Sequence, residues 1–201
     1  MINIDWLAFE ENYKKKGFEN ICGVDEAGRG PIAGPVIASA VILEENSKID
    51  GINDSKKLNA NKRKKLFEKI LLLAKDYSIS SASVEEIDKF NILNATLLAM
   101  KRAVESLKLK PDIVLIDGNA SPKLKFKTKT IIKGDSLSTS IAAASILAKV
   151  YRDNLMIKAD ALYPIYKFSK HKGYGTKLHR NILKKHGTCP IHRKSFKIKN
   201  F

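Results

Sequence analysis

Residues 21–43 read ICGVDEAGRGPIAGPVIASAVIL. Two apolar runs, 21–24 and 36–43, enclose the adjacent acids Asp25 and Glu26 and a loop, 28–35, with three glycines, two prolines and one arginine. Runs rich in Val and Ile and bounded by Gly and Pro have the pattern of strands. Ile21 to Asp25 and Val36 to Leu43 are therefore predicted strands, the first ending on an acid. A carboxylate is costly to bury unless it is paired or holds a metal, so that acid needs a partner.

A second such acid lies further along. DIVLID, Asp112 to Asp117, is a near-continuous apolar run ending in an aspartate, the pattern of a strand covered on both faces. In sheets with parallel strands, ligands gather at the strands' carboxyl ends. If these two strands are neighbours, Asp25 and Asp117 meet there. Consecutive strand residues point to opposite faces. Asp25 and Glu26 are thus expected to share a site through a strand that ends or bulges after Asp25, with Gly28 and Gly30 permitting the bend.

The remaining elements follow from periodicity. Helices are predicted over Asp5 to Lys15, Ala60 to Lys75 behind a capping Asn59, and Asn91 to Leu109. A short helix behind the Ser83/Glu86 capping box precedes the last of these. Strands are predicted over Tyr77 to Val84 and Phe126 to Ile132. A long helix rich in small residues covers Ser136 to Ala161, and a final one Thr176 to His186. The order implies an α/β protein, a mixed sheet with helices on its faces.

The chain has 201 residues and a net charge of +16, from 37 Lys and Arg against 21 Asp and Glu. So large an excess points to a polyanionic partner, nucleic acid before an anionic membrane surface. The charge is uneven: between Ala161 and Phe201 there are eleven Lys or Arg and no acid, and all four histidines lie there. Cys22, in an apolar run, is expected in the core, and with only Cys189 besides it the pattern fits a reducing cytosol. The opening MINIDWLAFEENYKKK has no basic segment followed by an apolar one, so no secretory leader is expected. The apolar run 31–43 is too short to span a bilayer. A cytoplasmic location and no membrane contact are expected.

Asp153, after SILAKVYR inside the long helix, makes a fourth acid beside Asp25, Glu26 and Asp117. Taken singly, each is most often a turn residue, a cap or a solvated charge. Taken together, they could hold one or two hard divalent cations, Mg²⁺ or Mn²⁺, and the chemistry that uses such a cluster is phosphodiester hydrolysis. GRGPIAGP lacks the Gly-Lys-Ser/Thr ending of a nucleotide P-loop. Its glycines would instead let backbone amides approach a sugar-phosphate, with Arg29 adding charge. The histidines and Cys189 match no standard zinc spacing, so no zinc is expected.

GVDEAGRGPIAGPV resembles the signature of ribonuclease HII. The likeness continues through NDSKKL (53–58), FNILNAT (90–96), LIDGN (115–119), KGDSLSTSIAAASILAKVYRD (133–153), YPIYKFSKHKGYGTKLH (163–179) and CPIHRKSF (189–196). The resemblance implies a ribonuclease H-like mixed five-stranded sheet flanked by helices. A catalytic core over 1–160 and a basic C-terminal helical substrate-binding region over 161–201 would form one compact, monomeric unit. It implies an endonuclease that cuts the RNA strand of RNA–DNA hybrids and incises 5′ of single ribonucleotides in duplex DNA, leaving 3′-hydroxyl and 5′-phosphate ends. The metal-site acids would be Asp25, Glu26, Asp117 and Asp153, holding two ions with substrate bound. Gly28, Arg29 and Gly30 would sense the ribose, and Tyr174 would read the junction. Ser55, Lys56, Lys170 and Lys172 would contact backbone phosphates. Lys167 stands where relatives often carry a small residue, and no sliding-clamp motif is evident at the C-terminus. The competing readings are a non-catalytic basic nucleic-acid-binding module and another metal nuclease of the same fold.

Overall fold

The computed structural model describes residues 8–45, 47, 49–52, 55 and 58–197. Helix α1 (Ala8–Lys14) leads into the antiparallel strands β1 (Ile21–Ala27), β2 (Val36–Leu43) and β3 (Ala74–Ala82), with α2 (Ala60–Leu73) inserted before β3. Helix α3 (Val84–Glu105) crosses to β4 (Ile113–Asp117). Then come β5 (Lys127–Ile131), α4 (Thr139–Leu162), the short α5 (Phe168–His171) and α6 (Lys177–His186). The sheet order is β3-β2-β1-β4-β5, with β4 parallel to both β1 and β5.

Local chemistry sets the helix starts. The Asn59 side chain accepts from the Lys62 amide at 2.9 Å and opens α2, and Ser83 and Glu86 form the expected reciprocal box at α3. The two helices predicted between 83 and 109 are joined at Asn91, whose φ of 67° kinks α3 while its side chain caps Asn94 at 3.1 Å. Side-chain alternation along the strands makes three layers. Cys22, Val24, Ala38 and Ala40 pack with Ala95, Ala99 and Ala103 of α3 on one face. Val41 packs with Ile70 of α2 and Ala143, Ile146 and Leu147 of α4 on the other.

Gly23 is what lets α4 lie close on the sheet. A Cβ there would come within 2.1 Å of the Ser140 carbonyl carbon and 2.3 Å of the Ile141 nitrogen. Cys22 is fully buried, and burial pushes its thiol pKa up to about 12. Among the described residues no helix is long and apolar enough to cross a membrane.

Candidate active site

Strands β1 and β4 run side by side with Val24 opposite Ile116, so Asp25 and Asp117 come next at adjacent carboxyl ends. Asp25 shares the face of Gly23 and therefore looks toward α4. It is 4 % exposed. Its Oδ1 accepts the Glu26 amide at 2.7 Å, and Ser145 of α4 hydrogen-bonds its carboxyl. Asp117 Oδ1 accepts the Gly134 amide at 2.7 Å.

No break follows Asp25. β1 continues in register, Glu26 opposite Ala38 and Ala27 opposite Ile37, and the sheet's irregularity lies instead between Ile42 and Leu43. The expected bulge is absent because antiparallel pairing with β2 holds β1 straight beyond the end of β4. Glu26 projects from the opposite face, yet it extends past β4, hydrogen-bonds the Asp25 side chain and feels the charge of Asp117. Arg29 Nη1 stands 3.5 Å from Glu26 Oε1.

Burial first, then the neighbouring Glu26 and Asp117, raise the pKa of Asp25 well above the ordinary aspartate value. Glu26 is raised too, by burial against the opposing pull of Arg29. These three carboxyls act on one another. Asp153 Oδ1 is 2.8 Å from Lys149 Nζ, one helical turn back. Among the described residues no three His, Cys, Asp or Glu side chains are gathered closely enough to grip an ion as they stand. The donor set, all carboxylate oxygen in a buried anionic corner, is nevertheless that of a hard divalent cation.

The glycine loop packs beside this corner. Gly28 has φ of 105°, and any Cβ on it would meet Arg152 Nε at 2.1 Å, so only glycine fits. A Cβ on Gly30 would lie 3.7 Å from the Tyr174 ring, which places the two predicted ribose readers together. Tyr174 is 43 % exposed, and Lys149 Nζ lies 5.8 Å from its ring centre. Arg152, buried on α4, donates to the carbonyls of Pro35 (3.0 Å), Ala33 (3.1 Å) and Lys172 (3.0 Å).

Behind Tyr174 the buried imidazoles of His179 and His192 form a directed chain. His179 Nδ1 lies 3.0 Å from the Tyr174 carbonyl, which can only accept, so Nδ1 carries the proton. His179 Nε2 must then accept from His192 Nε2 at 3.0 Å. His192 Nδ1 in turn accepts the Cys189 amide at 2.9 Å. His171 stacks on His179 at 4.1 Å. All three rings are neutral in this scheme, in keeping with the lowered pKa that burial gives each.

Several expected contacts are placed differently. Ser55 is 3 % exposed and its hydroxyl sits 2.9 Å from Ser145; it faces the support of Asp25, not an open phosphate path, because α4 covers it. His171 and His192 are buried among aromatic rings. Lys170 is exposed, whereas the Lys172 ammonium turns back onto the Ser169 carbonyl. Lys56 lies outside the described residues. A groove of about 490 Å³ between α2 and α4, lined by Arg63, Lys64, Asn154 and Lys172, reaches Asp153. Arg152, Ser145 and Lys149 were missed by sequence reasoning. Their signal was present: Ile141, Ser145, Ala148, Arg152 and Met156 recur three and four apart, which puts Arg152 on the buried stripe.

Three antiparallel strands extended by two parallel ones, with carboxylates at the ends of β1 and β4, define the ribonuclease H-like fold class. The crystal structure of the ribonuclease H2 from Pyrococcus horikoshii OT3 shares it, at a TM-score of 0.72 and 28% identity over 89% of this chain and 94% of that one. The structure of Bst-RNase HIII in complex with Mn²⁺ shares the fold at a TM-score of 0.63 and 16% identity, over 84% of this chain and 63% of that one. The chain belongs to the ribonuclease HII family, whose model matches residues 22–199. It is 54% identical to the ribonuclease HII of Caldicellulosiruptor saccharolyticus over 199 residues, 99% of this chain and 97% of that protein.

Proposed function

We propose that the chain is an endonuclease that hydrolyses the RNA strand of RNA–DNA hybrids and incises 5′ of single ribonucleotides in duplex DNA, leaving 3′-hydroxyl and 5′-phosphate ends. One observation carries the assignment of its centre: Asp25 and Asp117 stand at adjacent carboxyl ends of paired parallel strands in a ribonuclease HII chain.

Asp25, Glu26 and Asp117 would hold divalent metal, with Asp153 as the fourth acid; Mg²⁺ or Mn²⁺ is proposed, two ions when substrate is bound. The Mn²⁺ of the HIII relative agrees with this choice. Bound metal would supply an activated water and charge stabilisation at the departing oxygen. The protein's own groups do the rest. Ser145 orients the Asp25 carboxyl, and the Gly134 amide orients Asp117. Gly28, Arg29, Gly30 and Tyr174 face the ribose, whose 2′-hydroxyl both donates and accepts. Lys170 and the basic region 161–201 hold phosphates and position the duplex without reading sequence.

The deciding assay offers a labelled DNA duplex carrying one ribonucleotide, with Mg²⁺ or Mn²⁺. Incision 5′ of that position is expected. Loss of residues that merely support a metal ligand costs about 10–100-fold, so Asp25→Asn or Asp117→Asn should lose at least about a hundredfold. Wild-type cutting by either variant would refute the assignment, and a pure binding module would give no cation-dependent product.

A further inference from the structure

Arg193 lies beyond α6 in the C-terminal segment and is 2 % exposed. A buried guanidinium ordinarily meets a carboxylate. Among the described residues this one forms no ion pair. Its hydrogen bonds go to three main-chain carbonyls of the glycine loop: Nη2 to Gly28 at 2.6 Å, Nη1 to Arg29 at 3.0 Å and Nε to Gly34 at 2.9 Å. Burial, with Arg152 nearby, lowers its pKa to about 9. The fold accepts a costly cation there, and what the cation touches is the backbone of the loop.

Peptide geometry gives that contact a consequence. A trans peptide is planar, and its C=O and N–H point in opposite directions. All peptide bonds described are trans. Drawing the Gly28 carbonyl inward therefore turns the Arg29 N–H outward, and drawing the Arg29 carbonyl inward turns the Gly30 N–H outward. Arg29 and Gly30 are exposed, and among the described residues neither amide donates to a protein acceptor. Two donors thus stand side by side in solvent, next to the Tyr174 ring and one loop away from Glu26.

We propose that Arg193 is a positioning residue for ribose recognition: it locks the peptide planes of residues 28–30 so that the Arg29 and Gly30 amides are presented to the 2′-oxygen and adjoining phosphate of the substrate. This rests on reading residues 28–30 as the ribose-sensing loop. A guanidinium suits the task because its planar fork spans several acceptors, whereas a lysine ammonium is a point charge.

The test compares Arg193→Lys, Arg193→Ala and Gly30→Pro, the last removing one of the two amides. For each folded variant, judged by thermal unfolding, two constants are measured: KM for a duplex with one ribonucleotide, and Ki of the matched all-DNA duplex as competitor. A lost hydrogen bond of ordinary strength corresponds to about tenfold. Arg193→Lys should raise KM about tenfold and leave Ki unchanged, and added guanidinium should restore KM in Arg193→Ala. KM and Ki moving together, or neither moving in folded Arg193→Lys, overturns the proposal. If Gly30→Pro keeps full discrimination, the loop reading itself fails. If Gly30→Pro loses discrimination while Arg193→Lys keeps it, the loop stands and only the role of Arg193 falls.

Discussion

Asp25 shows how a single residue can set function against stability. The fold buries it against two other carboxyls, and a carboxyl whose pKa is raised on folding is one whose ionisation the fold opposes. Its contribution is full below the ordinary aspartate value and is lost as pH rises through the folded value. Asp25→Asn should therefore raise the thermal midpoint of the metal-free protein at neutral pH while abolishing cleavage; a lower midpoint would show that the carboxylate is not strained. His179 has the opposite sign. Burial draws its pKa from 6.5 to about 4, so the unfolded chain takes up a proton that the folded chain refuses. Stability is full above pH 6.5 and falls as pH drops toward 4. Thermal unfolding between those limits should show this slope, flattened in His179→Gln. The Tyr174 ring lies against Gly30 of the glycine loop, so on the proposed role of that loop Tyr174→Ala should impair single-ribonucleotide incision more than cutting of long hybrids; equal losses would argue against junction reading.

At the scale of elements, α4 is the organising piece. It presents Ser145 to Asp25, Arg152 to the glycine loop and Asp153 to Lys149. Its position depends on Gly23, since a methyl group there would collide with α4 backbone rather than a flexible side chain. Overpacking of this kind costs about 1–3 kcal/mol or more. Gly23→Ala should lower the unfolding free energy by at least that much in denaturant titration and reduce activity with it, because Asp25 lies two residues along the same strand. The turn before α5 holds the opposite opportunity. Lys167 occupies φ of 55°, where a side chain costs about 1 kcal/mol relative to glycine. Lys167→Gly should recover about that amount in denaturant unfolding.

Across the whole molecule, the chain carries a net charge of +16, while Asp25, Glu26 and Asp117 act on one another at one corner of the sheet. A charge of that size attracts a polyanion over long range, and the proposed reacting centre is the carboxyl cluster. Affinity for duplex should fall steeply with salt as phosphate contacts release counterions, by roughly a thousandfold between about 50 and 200 mM. A flat response would mean that the basic surface does not follow the duplex.

The two strands that carry Asp25 and Asp117, the helix caps at Asn59 and Ser83 and the basic C-terminal stretch were legible in the chain alone, because they depend on local periodicity, capping chemistry and composition. The unbroken path of β1 through Glu26 was not, since β2 keeps it straight from across the sheet. Nor were the inward turn of Ser55, the hydrogen bond between His179 and His192 or the hold of Arg152 and Arg193 on the glycine loop. Each of these depends on groups far apart in sequence, and a polar side chain's partner is decided only when packing has chosen which carbonyl, hydroxyl or charge stands within about 3 Å of it.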